Sequence, residues 1–234
     1  MIPASQLADY LSVQGLDIER VEVQIAALTL SAVLEVPKPN PPRDLFRYRV
    51  PKLSEDGACS LIEELADEPY DLTPLFEEHE EAHAYLVNLN ALIDSVNQRI
   101  GADWLGIYRA VGHMDDARLI KLAYTGRESR AEFPLTHAFA EKSNNSRVGL
   151  TGWGVVIDDI AKWQEMGGSY YECDDKVKSE VCLPICTPTG AVLGIIDAES
   201  SEVGFFTPER QAWLVALALV LAEPMLNLPL VEGL

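Results

Sequence analysis

Basic residues are scarce in this chain: 18 Lys and Arg stand against 37 Asp and Glu, a formal net charge of −19. From Ser54 to Gln98 there is no Lys or Arg at all, while twelve acidic residues occur. A surface of that sign repels phosphate backbones and anionic headgroups, which excludes nucleic acid and membrane as partners. Cysteine is scarce too. Cys59, Cys173, Cys182 and Cys186 show neither CxxC nor zinc-finger spacing, which fits reduced thiols better than a disulfide framework. The longest apolar run, Ala212 to Ala222, has eleven residues, and a membrane-spanning helix needs about 20. No basic residue precedes Arg20 and no small-residue cleavage site follows an apolar core, so no export signal is read and a cytoplasmic protein is expected. Phosphate-loop and serine-triad signatures are missing.

What is present fits a folded α+β protein of 234 residues, 48 % of them hydrophobic. Residues 1–72 read as a mainly helical extension and 73–234 as a second unit. In the extension, 4–12 forms a short helix. Asp17 to Val36 is ambiguous: Ile18, Val21, Ile25, Leu28 and Ala32 fit a helical stripe, while Val21, Val23 and Ile25 alternate as in a strand. Helix is preferred. The run Pro37-Lys38-Pro39-Asn40-Pro41-Pro42 ends it, as linker or connecting loop. Ser60-Leu61-Ile62-Glu63 has capping-box spacing for another short helix.

A long helix is expected from Pro74 to Ile100, with Leu75, His79, Ala82, Leu86, Leu89, Ile93 and Val96 inward. It contains His79-Glu80-Glu81-Ala82-His83, a match to H-E-x-x-H. Catalytic zinc needs a third protein ligand, and the sequence beyond His83 supplies neither glycine nor a third histidine in the metzincin pattern. No metal site and no cofactor is therefore assigned. Strands follow at 103–111 and 119–124, then a polar segment with a helix near 135–141. Asn144-Asn145-Ser146 reads as a turn or loose loop. Trp153, between two glycines, either stacks on a ligand or packs. A strand-like run to Ile157 and a short helix to Glu165 lead to Tyr170 and Tyr171, candidate pocket residues. The last helix starts at Thr207-Pro208 and is expected to stop at Pro224. It is apolar all round, which requires burial on two sides. The 74–100 helix, the extension or a second subunit can supply the second side, and a homodimer through apolar helices is expected.

The chain is organised around the stretch from Cys173 to Ser200. Two β-prone runs flank Thr187-Pro188-Thr189-Gly190 and read as a hairpin. Side chains alternate faces, so Glu180 shares a face with Cys182, and Asp197 with Glu199. With Pro188 and Thr189 as a two-residue turn, Glu180 falls opposite Asp197; a bulge at Gly190 shifts that register. Three carboxylates on one face do not suit an apolar core. They suit solvent, or a pocket that receives a cation or hydrogen-bond donors.

Ser179-Glu180-Val181-Cys182-Leu183-Pro184-Ile185, with Gly194-Ile195-Ile196-Asp197-Ala198-Glu199-Ser200, Gly204-Phe205-Phe206-Thr207-Pro208-Glu209 and Ala102 to Tyr108, resembles the GAF domains. The likeness covers roughly the last 150 residues, the size of one domain. It implies a central antiparallel sheet flanked by helices, with a small-molecule pocket. Within that group the run from Cys173 to Pro184 is most similar to the free methionine-(R)-sulfoxide reductases. That likeness implies Cys173 as nucleophile and Glu180, Asp197 and Glu199 as holders of the free amino acid. Two further cysteines of that family are missing here, since Tyr124 to Lys142 contains none. Two functions follow. The first is a binding or sensing module for a free amino acid or similar polar ligand. The second is a thiol-dependent reductase, in which Cys182 is the conceivable internal partner for Cys173.

Overall fold

A computed structural model of the chain describes residues 2–39, 41, 44–53, 64–171 and 175–231. The Ser60 capping box, Cys59 and Cys173 lie outside them. The elements begin with α1 (Ala4–Gln14), α2 (Arg20–Glu35), β1 (Arg47–Tyr48), β2 (Tyr70–Asp71) and α3 (His79–Ile100). Then come β3 (Trp104–Val111), β4 (Arg118–Thr125), β5 (Glu132–Pro134), α4 (His137–Ala140) and α5 (Asn144–Thr151). The chain ends with β6 (Val155–Ile157), α6 (Ile160–Glu165), β7 (Ser179–Cys186), β8 (Val192–Ser200) and α7 (Pro208–Leu226). Six strands form one antiparallel sheet in the order β5-β4-β3-β8-β7-β6, and β1 pairs with β2 apart from it. The expected α+β architecture is present.

Strand alternation divides the sheet into two faces. Val181, Leu183 and Ile185 of β7 and Ile196 and Ala198 of β8 belong to a large core with α2, α3 and α7. Trp104, Tyr108, Leu119, Cys182 and Ile195 belong to a smaller core on the other face, with Phe133 and Val148. The hairpin loop sets which carboxylate meets which. Gly190 has φ 89, a conformation glycine adopts without Cβ strain. Thr187 N–H donates to Ala191 O at 2.8 Å, and Gly190 N–H to Thr187 O at 2.9 Å. This bulge moves the register by one residue, and a second irregularity between Ile185 and Cys186 moves it again. Glu180 therefore pairs with Glu199, and Cys182 with Asp197. Two shifts of one residue preserve the face, so the acidic residues stay together; Glu180 and Asp197 are diagonal neighbours instead of opposite ones.

The full apolarity of α7 is used inside the chain. Leu214, Val215, Leu217 and Leu221 have no exposed surface, and α7 packs against α2, α3, β7 and β8. The helix does not stop at Pro224 but ends at Leu226. Proline there forfeits one backbone bond in the last turn, and Asn227 N–H closes the end on Glu223 and Pro224 carbonyls. The Asp17–Val36 ambiguity resolves as helix, α2. Val23, Ala26, Ala27 and Leu30 are buried, whereas Val21, Ile25 and Leu28 are exposed. The tight approach of α2 to α7 favours the small alanines. The helix expected from Pro74 begins only at His79, after a separate 3-10 turn at Thr73–Leu75. His79 and His83 both pack beside the Phe46 ring, 5.9 and 6.3 Å between ring centres.

The first helices belong to the same core as the sheet. Tyr10 OH donates to Pro184 O at 2.8 Å, and Gln14 Nε2 to Gly152 O at 3.0 Å. Leu30→Ala removes a fully buried side chain between α2 and α7 and is expected to cost about 2–5 kcal/mol. Urea unfolding followed by far-UV dichroism and tryptophan fluorescence checks this. Both signals should move together to lower denaturant; unchanged fluorescence with a separate early dichroism change would mean that α2 melts on its own.

Candidate functional site

On the small-core face, the sheet lies under α5, the 126–131 loop and Tyr170–Tyr171. Between them is a narrow cleft of about 30 Å³, lined by Glu180, Asp197 and Glu199 at one end. Trp104, Tyr108 and Phe133 give it an aromatic lining, and Arg130, Tyr170 and Tyr171 line it too. Gly106 fixes one wall: the Trp104 ring occupies the space a Cβ would need there. Lys121 fixes another. It is fully buried, donates to Ser129 O and Oγ at 2.8 and 2.7 Å, and has its ammonium 4.1 Å from the Tyr124 ring centre. Donor bonds and ring faces compensate its burial and hold the 126–131 loop down.

The acidic end is built by α5. Ser143 caps this helix, its hydroxyl accepting from Ser146 N–H at 3.3 Å. The Asn144-Asn145-Ser146 segment is thus the first helical turn, not a loop: a serine cap outweighed the turn preference of asparagine. Asn144 Nδ2 donates to Glu180 Oε2 at 3.0 Å and Asn145 Nδ2 to Asp197 Oδ2 at 2.9 Å. The two carboxylates therefore lie beside the helix N-terminus, where its dipole favours negative charge. Arg147 donates to Asn144 Oδ1 and orients that amide.

Glu180 and Asp197 are each only 3 % exposed. Burial pushes the Glu180 carboxyl up to about 8, with the Asp197 charge adding to it and the Asn144 bond and Arg147 opposing. Burial pushes Asp197 up to about 7 against its bonds from Asn145 and the Ala198 N–H. Two acids this close titrate as a pair, and the proton near neutrality belongs to both. Asp197 Oδ1 is buried and has no hydrogen-bond partner among the described residues. Cys182 completes the group: its sulfur and one oxygen each of Glu180 and Asp197 lie within 4.8 Å of one another. Burial, then the Asp197 and Glu180 charges, push its thiol well up, so it stays protonated and is a poor nucleophile. One sulfur and two oxygens are also the donor set with which this site would hold a metal ion.

The structure thus brings Glu180, Asp197, Glu199, Tyr170 and Tyr171 to one cleft and puts Cys182 under it. Trp153 is elsewhere, 66 % exposed and outside the cleft lining. Sequence reasoning missed Asn144, Asn145, Trp104, Tyr108, Lys121 and Arg130. The available signal was the Ser143-Asn144-Asn145-Ser146 run, whose four polar residues are all buried. Arg130 sits 4.9 Å from the Phe139 ring centre and donates to Tyr171 OH at 2.9 Å, a contact across 41 residues that no local pattern marks.

Both raised acids make the folded chain bind protons that the unfolded chain releases. Stability therefore falls as pH rises from the ordinary carboxylate range through about 8, and the penalty is constant above that. Asp197→Asn keeps an oxygen for Asn145 and removes a charge. Its melting temperature is expected above that of the wild type at pH 8, with a smaller difference at pH 5. Equal melting temperatures at both values would show that Asp197 carries no raised pKa.

No family model matches the chain, and no curated protein matches it in sequence. Solved structures do match in shape. A type II free methionine-R-sulfoxide reductase from Thermoplasma acidophilum aligns at 22 % identity over 64 % of this chain and 97 % of its own, TM-score 0.53. A putative GAF sensor protein from Burkholderia vietnamiensis aligns at 16 % over 87 % and 93 %, TM-score 0.54. A free methionine-R-sulfoxide reductase from Neisseria meningitidis, in complex with its substrate, aligns at 20 % over 62 % and 79 %, TM-score 0.51. At these identities the likeness concerns the fold. The sheet order, the helices on both faces and these matches give one conclusion: the chain has the GAF fold.

Proposed function

We propose that this protein is a small-molecule binding module whose cleft takes a free amino acid by its ammonium group. The observation that carries this reading is the orphaned Asp197 Oδ1 beside Glu180, at the end of an open cleft. A buried acceptor without a donor is costly, and so is a pair of like charges. An ammonium group relieves both, with Glu199 as a third acceptor. The Trp104 and Tyr108 rings then line the path of the ligand's side chain. Carboxylate, ring and ammonium together give the selectivity for a primary amine over a neutral ligand.

Occupancy has a route to the extension. Asn144 and Asn145 touch the carboxylates from one end of α5. At the other end Gln14 of α1 brackets the helix exit, donating to Gly152 O and accepting from Gly154 N–H at 2.5 Å. A ligand that draws the carboxylates away from α5 changes what α1 holds.

One observation favours the reductase as a second reading. The raised acid pair offers a proton inside the cleft, and Cys173 follows the cleft residue Tyr171 by two positions. In that chemistry the Cys173 thiolate attacks the sulfoxide sulfur and the oxygen passes to the cysteine as sulfenic acid. The acid pair supplies the proton, and the thioether leaves. An external dithiol then reduces the sulfenic acid, releasing water and its own disulfide.

Calorimetry with methionine, its two sulfoxide epimers and other free amino acids tests the binding reading. Asp197→Asn is expected to cost roughly 1.5–3 kcal/mol, ten- to a hundred-fold in affinity. No binding of any of them to wild type would overturn the amino-acid assignment. The cation displaces the shared proton, so affinity is expected to rise from pH 6 to pH 8; a flat or falling profile would contradict it. Incubation with the R epimer and dithiothreitol tests the chemistry. Turnover lost in Cys173→Ser and retained in Cys59→Ser establishes the reductase, and binding without turnover leaves the module.

A further inference from the structure

The apolar stripe on α2 is turned away from the core. Val21, Ile25 and Leu28 are 61, 58 and 46 % exposed, and Ala32 is exposed with them. Their spacing is four, three and four residues. That alternation keeps apolar side chains in one seam along a helix and is the pattern by which two helices pair side by side. The helix has already spent its other face, Val23, Ala26, Ala27 and Leu30, on the core. Among the described residues nothing covers the seam, and isolated exposed apolar residues do not line up in this way by packing alone.

We propose that this seam pairs with the same seam of a second copy of the chain, antiparallel and about a two-fold axis. The inference is independent of what the cleft binds. A two-fold axis midway between Ile25 and Leu28 sets Ile25 against the partner's Leu28, and Val21 against the partner's Ala32. Each large side chain at the ends then meets a small one, which lets the helices approach closely. Charge chooses the same arrangement. At about 100° per residue, Arg20 and Glu35 fall on the same flank of the seam. Antiparallel helices bring like flanks together, so the Arg20 of each copy comes beside the partner's Glu35 at both ends. A parallel pair would put these flanks on opposite sides of the seam and leave each Arg20 and Glu35 without an opposite charge from the partner. It would also align the helix dipoles, which the antiparallel pair opposes. Arg20 is the only basic residue of the helix, and neither it nor Glu35 makes an ion pair among the described residues. Self-complementarity of this kind is the mark of a two-fold interface. A heterologous amphipathic helix would satisfy the apolar seam but would have no reason to match the two charged ends.

Multi-angle light scattering on the full chain at micromolar concentration tests this. The expected mass is twice 25.8 kDa. Ile25→Glu is expected to lower it to the single-chain mass with an unchanged thermal melt, because the Ile25 side chain touches little of its own fold. Arg20→Glu is expected to weaken the dimer a few-fold, and Arg20→Glu with Glu35→Arg to restore it. Wild type at the single-chain mass overturns the proposal. So does a dimer indifferent to Ile25→Glu, and a double swap that fails to restore overturns the antiparallel register.

Discussion

Two carboxylates buried side by side govern this molecule. Glu180 and Asp197 stand on adjacent strands, each almost without solvent. Water cannot screen them, so the surrounding residues must. The first turn of α5 does so with two asparagine amides and the positive end of its dipole. That compensation is incomplete: one Asp197 oxygen has no partner among the described residues, and burial raises both carboxyls. A core built for stability alone would place apolar residues there. The cleft above them is lined by both carboxylates.

The dependence extends outward. For α5 to keep its amides on the carboxylates, both of its ends must be fixed. Ser143 fixes the start and Gln14 of α1 the finish. Helix α1 is fixed in turn through Tyr10 on β7, the strand that carries Glu180. The loop formed is α5, α1, β7 and back to the acid pair. It ties the N-terminal helices by hydrogen bonds to the elements that carry the acid pair. Helix α2 closes the opposite face, with its small residues against α7.

The sheet was legible because its strands alternate cleanly. Val181, Leu183 and Ile185 against Glu180 and Cys182 mark both faces of β7 in the sequence itself. The shared face of the acidic residues survives the register change because the two bulges cancel in parity. Their effect on pairing was not legible, since the second bulge near Cys186 has no glycine to announce it. The orientation of α2 was not legible for a related reason. Its larger residues form a stripe, and hydrophobicity alone points the larger stripe inward; the close contact with α7 takes the alanine side instead. Local preference points Asn144 and Asn145 to a turn, while their role depends on carboxylates 36 and 52 residues away. The contact between Arg130 and Tyr171 is likewise a tertiary product.

The central claim is that the acid pair stays partly protonated until a cation arrives. Carbon-13 NMR of chain labelled at Asp and Glu side-chain carboxyls measures this directly. The expected spectrum of the free protein has carboxyl signals that titrate near neutral pH and are perturbed by Asp197→Asn. Addition of the bound amino acid at pH 7 should move them to the ionised position. A spectrum in which every carboxyl titrates in the ordinary acidic range, with no change on adding ligand, would contradict the account.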